Sequence, residues 1–358
     1  MKFFLNTCNR ALFIVNLRYN SRQHNKHLLI LISNFNTTMW LTSSSIGRKL
    51  VMAITGICLV LFVTFHCLMN AIAIVYPSAY NVICEFLGAN WYALVASIGL
   101  AVLFILHICY AVWLTLQNRK ARGNDRYAIS KKPAGVEWSS QNMLVLGIVI
   151  LAFLVVHMIQ FWAKMQLQEI RGVEGAIPPS MGTLFIQEAF SCAWTPIIYI
   201  IGFIALWFHM NHGFWSMFQS IGWDNNTWLP RLKTIACWWT SIVVALFIAQ
   251  AIVFTVNAHN NFYKTNPDLR EQYKNVMGDM VGIPVDRYKY DNFSSALRNQ
   301  EQQLKAILEN PAQMMQMGFT PEMVQAELDN IEPAMKFLNY LEGENADSEV
   351  APMVQPEN

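Results

Sequence analysis

Four histidines stand within long apolar stretches of this sequence, where an imidazole has no water to bind. Each stretch is 18 to 21 residues long and contains no Asp, Glu, Lys or Arg. The stretches are Leu50–Met69 with His66, Leu94–Leu114 with His107, Met143–Ala163 with His157, and Ala193–Met210 with His209. As helices they are long enough to cross a hydrocarbon core of roughly 30 Å. An imidazole at that depth is costly unless it has a partner, so it indicates a functional role.

The depths of the four histidines follow from the alternating direction of successive helices. Each histidine lies in the C-terminal half of its stretch. His66 and His157, on the first and third stretches, are therefore expected near one membrane face, and His107 and His209 near the other. The topology predicts two histidine pairs, one above the other.

Two neutral imidazoles on either side of a flat macrocycle are the ligand set of a bis-histidine haem. Iron then satisfies nitrogens that hydrocarbon would leave bare. A zinc site would need a third or fourth ligand at the same level, and Cys67 and Cys109 stand one and two residues from a histidine, on another helix face. The seven cysteines include no Cys-x-x-Cys-His site for covalent haem. The pattern therefore predicts two haem b groups, with one histidine pair as axial ligands of each iron.

Glycines recur near the same two levels. Gly56 and Gly147 each precede a histidine by ten residues, or roughly 15 Å. Gly99 and Gly202 precede theirs by eight and seven residues, or roughly 10–12 Å. Each helix would thus offer no side chain at the level of the haem that it does not ligate. Ordinary small-residue packing between membrane helices explains any single glycine equally well.

Composition places the chain among polytopic helical membrane proteins. Of its 358 residues 54% are hydrophobic and 13% are charged, whereas a soluble domain has about 25% charged residues. The apolar residues are concentrated in five blocks, which predict spans at about 46–76, 91–118, 139–164, 193–219 and 232–257. We expect an all-α membrane protein whose first four spans form the haem-binding bundle.

The charge predicts the orientation in the membrane. Residues 1–258 carry a net formal charge of +10, and residues 259–358 one of −8. Lysine and arginine collect before the first span and in the second and fourth connectors. The positive-inside rule puts these segments and the N-terminus on the cytoplasmic side, and the C-terminal tail on the outer face.

Three regions are expected along the chain. Residues 1–38 form a doubtful leader or a disordered extension, and residues 39–258 form the five-helix domain. The acidic region 259–358 is extramembrane and carries two predicted amphipathic helices, Ser294–Asn310 and Thr320–Leu341.

Two haems at different depths would conduct electrons across the bilayer. The sequence contains no nucleotide loop, flavin motif or iron–sulfur cysteine cluster. The chain therefore needs a docked partner on one face and a membrane-soluble donor or acceptor, which indicates a quinone.

Four segments around the histidines resemble the single-polypeptide, five-helix, di-haem cytochrome b subunit of succinate dehydrogenases and quinol:fumarate reductases. They are Gly56 with Phe65–Asn70 (FHCLMN), His107–Tyr110 (HICY), Val156–His157, and Phe208–Ser216 (FHMNHGFWS). The last segment is the most specific. The resemblance covers residues 39–258 and leaves out the leader and the long acidic tail.

The resemblance implies a function and partners. It assigns His107 and His209 to the proximal haem and His66 and His157 to the distal haem, as the topology does. It implies that a flavoprotein subunit and an iron–sulfur subunit dock on the cytoplasmic face of a bacterial inner membrane. This chain would be the non-catalytic electron-transfer subunit of a respiratory complex II, with menaquinone handled near the distal haem. Some members carry a glutamate linked to proton movement two residues before the fourth ligand, where this chain has Trp207.

Five further residues are candidate contacts of the quinone or of the haem propionates. Glu85, Gln160 and Glu188 are expected at the depth of the distal haem. Arg48 and His212 are expected near the inner surface, and His212 is also an alternative to the ligand three residues before it. An ordinary surface, connector or lipid-headgroup role is the alternative for each.

Two other functions fit the same residues. The di-haem cytochrome b anchor of another quinone-linked enzyme, such as a formate dehydrogenase or hydrogenase, would carry similar histidine pairs. A transporter or signalling protein with a proton-relay chain of histidines would bind no haem.

Overall fold

The structure is a computed structural model that describes residues 44–88, 90–122, 137–172 and 175–343. The secondary structure of these residues is entirely helical. The predicted leader, most of the second connector and the last residues of the tail lie outside the described residues.

The described chain forms helices α1 to α13. They are α1 (Ser45–Val75), α2 (Pro77–Gly88), α3 (Trp91–Arg122), α4 (Trp138–His157, continued by a π-helical turn, Met158–Trp162), α5 (Gln166–Arg171), α6 (Gly182–Phe190), α7 (Trp194–Ser220), α8 (Trp228–His259), α9 (Phe262–Thr265), α10 (Pro267–Val281), α11 (Tyr290–Glu309), α12 (Pro311–Gln316) and α13 (Pro321–Glu342).

Five of these helices are long and apolar enough to cross a membrane: α1, α3, α4 with its π-helical turn, α7 and α8. They are 25 to 32 residues long, and we number them spans 1 to 5. This confirms the predicted all-α membrane fold with five transmembrane helices, and the chain is a multi-pass membrane protein.

The first span begins and ends where its sequence dictates. The Ser44 side chain accepts a hydrogen bond from the backbone N–H of Gly47 at 2.8 Å and so caps the first turn. The helix ends at Val75 because the next residue, Tyr76, precedes Pro77. A residue before a proline disfavours the helical backbone conformation. Pro77 then opens α2, since proline suits a first helical position.

Spans 1 to 4 are arranged as a square. Span 1 packs against spans 2 and 4, span 3 packs against span 4, and spans 2 and 3 make a lighter contact. Spans 1 and 3 are therefore on one diagonal, and spans 2 and 4 on the other. Span 5 packs against spans 1 and 4 on the outside of the square.

The two ends of the bundle differ in what covers them. We call one end the tail end, because α2, α6 and the tail helices α9 to α13 pack there. At the other end, spans 1, 3 and 5 begin and spans 2 and 4 finish. We call it the basic end, because several Lys and Arg residues lie there. These are Arg48, Lys49, Arg119, Lys120, Arg122, Arg231 and Lys233.

A continuous hydrophobic core fills the tail end. It joins the tail-end halves of spans 1, 4 and 5 to α6 and to the tail helices. Its fully buried members include Leu184, Leu269, Tyr273, Phe337 and Leu338. The predicted tail helices are present as α11 and α13, whereas the sequence analysis did not predict α2, α6 or α10.

Buried polar side chains tie the tail to the first and third connectors. The Asn81 carboxamide accepts from the backbone N–H of Thr183 at 2.9 Å and donates to the Gln272 side chain at 3.0 Å. The hydroxyls of Thr183 and Tyr273 are 3.2 Å apart. Because Asn81, Thr183 and Tyr273 are inaccessible to water, these bonds fix α10 against α2 and α6.

Candidate functional site

The structure brings the four membrane histidines together in the two predicted pairs. The ring centroids of His66 and His157 are 5.8 Å apart, and those of His107 and His209 are 6.3 Å apart. Each pair joins helices on one diagonal of the square, spans 1 and 3 or spans 2 and 4. All four side chains are only half-buried, so space remains around the rings.

Two glycines fix the separation of the pairs along the bundle. A Cβ on Gly56 of span 1 would lie 3.9 Å from His107 Cε1, and one on Gly147 of span 3 would lie 3.9 Å from His209 Cε1. Both glycines stand ten residues before the histidine of their own span, which corresponds to about 15 Å of helix. The tail-end pair (His66 and His157) and the basic-end pair (His107 and His209) are therefore about 15 Å apart.

The other two glycines do not repeat this arrangement. A Cβ on Gly202 would collide with the ring of Phe153, which stacks on His157 at a centroid distance of 5.9 Å. Gly202 thus makes room for an aromatic side chain. A Cβ on Gly99 would have no atom within 4 Å, so this glycine faces open space and contacts no histidine.

A threonine holds one ring of the basic-end pair. The Thr55 hydroxyl lies 3.0 Å from the carbonyl oxygen of Val51, 3.1 Å from that of Met52 and 3.2 Å from His107 Nδ1. A hydroxyl has one proton, and in this helix it is donated to a carbonyl one turn back. The oxygen therefore accepts from an Nδ1–H of His107, which leaves the Nε2 lone pair available to a metal.

A chain of hydrogen bonds holds one ring of the tail-end pair. The Tyr199 hydroxyl donates to Gln160 Oε1 at 2.9 Å and lies 3.1 Å from His157 Nδ1. Gln160 in turn donates from Nε2 to the Thr195 hydroxyl at 3.0 Å. Because the tyrosine proton is already donated, its oxygen accepts from His157 Nδ1–H, and Nε2 is again the nitrogen left to a ligand.

The second histidine of each pair is placed by its surroundings. His66 stacks on Phe62 and faces Phe247 of span 5, and its own carbonyl accepts from Asn70. The carboxamide of Gln250 donates to the carbonyl of the next residue, Cys67, at 2.8 Å. His209 Nδ1 is buried and has no hydrogen-bond partner among the described residues.

The geometry of both pairs fits a haem iron between the rings. Two imidazoles that bind one metal ion at about 2.0 Å place their ring centroids roughly 6 Å apart, near the distances observed. The described part of the chain contains no group of three or more His, Cys, Asp or Glu residues placed for a metal ion. Each pair can give an ion two ligands, the number of protein ligands in a bis-histidine haem.

A charged cluster lies beside the basic-end pair. Glu137, just before span 3, accepts from Lys233 at 2.8 Å and faces His212 Nδ1 at 3.2 Å. The Lys233 ammonium lies 4.2 Å above the Trp215 ring. Burial raises the pKa of Glu137, but hydrogen bonds and charges of Lys233 and His212 outweigh burial and lower it. His209, not His212, faces the opposite histidine of the pair.

The other candidate contacts lie apart from the histidine rings. Glu85 is exposed on α2 and makes no hydrogen bond or ion pair with a described residue. Glu188 pairs with Lys164 at 2.7 Å near the surface, and the Arg48 guanidinium lies 5.5 Å from the Trp113 ring centroid. Only Gln160, of the quinone candidates, is connected to a histidine pair.

Trp207 occupies the position at which some of the di-haem cytochrome b subunits described above carry glutamate. Its indole N–H donates to the Ser241 hydroxyl on span 5 at 3.0 Å. The side chain therefore ties spans 4 and 5 together and offers no titratable group.

Thr55, Tyr199 and Glu137 lie at the histidine pairs but were not predicted from the sequence. Tyr199 could have been noticed, because a tyrosine hydroxyl within an apolar span needs a hydrogen-bond partner there. Glu137 is an acidic residue at the end of a basic connector. Thr55 carried no comparable signal, because threonine often bonds its own helix.

Comparison with known proteins gives the chain no family: no protein-family model, curated protein or solved structure matches it.

Proposed function

We propose that this chain is the di-haem cytochrome b membrane anchor of a succinate:quinone oxidoreductase. It would pass electrons between an iron–sulfur subunit and menaquinone. The observation that carries the proposal is the presence of two histidine pairs about 15 Å apart in one four-helix square, with ring centroids 5.8 and 6.3 Å apart. When bound, the two haems would supply one-electron redox centres at two depths of the bilayer.

The hydrogen bonds favour metal ligands over a proton relay. A relay of histidines needs hydrogen bonds that lead from one ring to the next. Among the described residues, the bonds to His107 and His157 lead instead to Thr55 and Tyr199, and no histidine bonds another. Each of these two rings is fixed through Nδ1, which leaves Nε2 available to a ligand, as haem binding requires.

The charges favour one orientation in the membrane. The basic end carries the Lys and Arg residues at the start of spans 1 and 5 and at the end of span 2. We therefore place the basic end and the N-terminus in the cytoplasm of a bacterial cell, with the tail on the outer face of the inner membrane. The flavoprotein and iron–sulfur subunits would dock at the basic end, and menaquinone would react near the tail-end pair.

An absorbance spectrum tests the haems directly. The full chain is expressed with an ample haem supply and purified in detergent, and reduced-minus-oxidised spectra are recorded during a redox titration. We expect a b-type spectrum with two components of about equal amplitude. A colourless protein, or a single component, would contradict the proposal.

The electron donor separates the two enzyme classes that share this site. In native membranes, succinate is expected to reduce both haems of this chain, and a flavoprotein and an iron–sulfur protein are expected to copurify with it. Reduction by formate or hydrogen, but not by succinate, would assign the chain to another dehydrogenase. A variant with all four histidines replaced by alanine shows how much of the signal comes from other cytochromes.

A further inference from the structure

Within each histidine pair, one ring is oriented by a hydroxyl and the other is not. His107 bonds Thr55 of span 1, and His157 bonds Tyr199 of span 4. No described residue donates to, or accepts from, the ring nitrogens of His66, and the buried Nδ1 of His209 has no partner. The asymmetry occurs at both levels, although the hydroxyl comes from a different residue type and a different span at each.

The two hydroxyls differ in where their own protons go. Thr55 donates to a backbone carbonyl of its own helix, so its chain ends after one step. Tyr199 donates to Gln160, which donates to Thr195, so its chain has two further steps. Hydrogen bonds in such a chain polarise one another, so donation to Gln160 strengthens the Tyr199 oxygen as an acceptor for His157 Nδ1–H.

The π-helical turn after His157 accompanies the longer chain. In this turn the backbone N–H of Ala163 bonds the carbonyl of Met158, five residues back. The wider turn changes the direction in which Gln160 faces relative to a regular helix, and Gln160 meets Tyr199 on span 4. Single π-helical turns inside helices are frequent at functional sites.

We propose that Thr55 and Tyr199 are positioning residues that orient His107 and His157 as axial ligands and raise their donor strength. The inference rests on the proposed haem-binding function. An imidazole that donates its Nδ1–H becomes more basic at Nε2. A more basic ligand favours ferric over ferrous iron, so each hydroxyl lowers the reduction potential of the haem at its own level.

Two substitutions test the assignment at separate levels. Thr55→Val removes the basic-end hydroxyl while keeping a β-branched side chain, and Tyr199→Phe removes the tail-end hydroxyl while keeping the ring among its aromatic neighbours. We expect Thr55→Val to shift only the basic-end haem to a more positive potential, and Tyr199→Phe only the tail-end haem. We also expect about 10- to 100-fold weaker haem retention at the affected level. Redox titration, electron paramagnetic resonance of the ferric haems and haem content per chain are the readouts.

Matched variants separate positioning from a general effect on the fold. Thr55→Ser restores a hydroxyl and should restore the wild-type potential. Thr64→Val removes a hydroxyl of the same span that donates to its own helix and accepts from the Trp239 indole at 3.2 Å but makes no hydrogen bond to a histidine, and it should leave both haems unchanged. Where Tyr199→Phe does not fold, Gln160→Leu breaks the chain one step further out and should shift the tail-end haem by less, in the same direction.

The outcomes distinguish this inference from the proposed function. A wild-type chain without haem ends the proposed function before any variant is made. With two haems in the wild type, unchanged potentials in both Thr55→Val and Tyr199→Phe would overturn the positioning roles. A shift of the same haem by both variants, or an equal shift by Thr64→Val, would overturn them as well.

Discussion

The tail end and the basic end of the bundle hold their histidine pairs by different means. At the tail end, spans 1, 4 and 5 share one buried core with α6 and the tail helices. At the basic end, buried residues such as Ala53, Leu146 and Met210 lie outside this shared core. Packing therefore fixes the tail-end pair, whereas the basic-end pair depends on a few polar contacts and on space left by glycines.

Aromatic rings surround the tail-end pair. His157 contacts Phe153 and Phe161, and His66 contacts Phe247. Phe247 stacks on Phe203 at 5.1 Å, which continues the shell across spans 4 and 5. A group bound at this level would lie among aromatic rings, with the chain from Tyr199 to Gln160 and Thr195 as its polar neighbours.

The surroundings of the basic-end pair are more polar. Thr55 bonds His107. Glu137 pairs with Lys233 and also contacts His212, which is three residues after His209 on the same helix. The Glu137 and Lys233 side chains are about a third exposed, so water reaches this cluster. Two haems bound at these levels would therefore differ in hydration as well as in depth.

The largest expected effect is the loss of one haem at a time. His157→Ala removes the oriented ligand of the tail-end pair, and His107→Ala removes that of the basic-end pair. Each variant should lose the haem at its own level and keep the other, because the pairs are about 15 Å apart on different diagonals. Redox titration of each purified variant measures this. Loss of the same component in both variants would show that the pairs do not hold separate haems.

The second largest effect is expected from filling the space beside the basic-end pair. Gly56→Leu places a side chain where a Cβ is already 3.9 Å from His107 Cε1, and it should displace the basic-end haem while leaving the tail-end haem. Gly147→Leu, where a Cβ is likewise 3.9 Å from His209 Cε1, should have the same effect from the opposite helix. Haem content per chain is the readout, and two haems in Gly56→Leu would show that the space is not a haem site.

Hydrophobic length and composition predict the membrane part of the fold from the sequence. Each span contains a long run without charge, so five membrane-spanning helices could be predicted, and Ser44 and Pro77 mark the limits of the first one. The two histidine pairs follow from the direction of the helices alone. Neither conclusion needs knowledge of side-chain packing.

The tail end could not be predicted in the same way. The segment that forms α6 is apolar but only nine residues long, too short for a span, and it becomes buried because the tail covers it. Asn81 and Tyr273 lie far apart in sequence and meet only in the folded chain. The role of Thr55 likewise could not be predicted, because its bond to His107 depends on the packing of spans 1 and 2.

A moderate effect is expected from breaking the polar contacts that fix the tail. Asn81→Ala leaves the backbone N–H of Thr183 and the Oε1 atom of Gln272 without the Asn81 partner, and the loss should destabilise the tail end by about 1–3 kcal/mol. Unfolding in detergent and the rate of proteolysis within residues 259–343 measure this. Asn142→Ala, which removes an exposed bond to its own helix, should cost less than about 0.5 kcal/mol. Equal proteolysis of the two variants would show that packing alone holds the tail.

The smallest effect is expected at the charged cluster of the basic end. Glu137→Gln removes the carboxylate charge that faces Lys233 and His212, and because these groups are partly exposed the stability should fall by only about 0.5–1 kcal/mol at neutral pH. Added salt should reduce the difference further.

The pH dependence of that difference has a definite sign. The pKa of Glu137 is lower in the folded chain than in the unfolded chain, so its contribution to stability is fully present above the ordinary glutamate pKa of about 4.3. The contribution is lost as the pH falls through the lowered folded value, and the wild type and Glu137→Gln should then unfold at the same denaturant concentration. Glu188→Gln, in the similarly exposed pair with Lys164 at the tail end, is the matched control for an ion pair away from His209. A difference that persists unchanged in acid would mean that the shape of Glu137, and not its charge, stabilises the basic end.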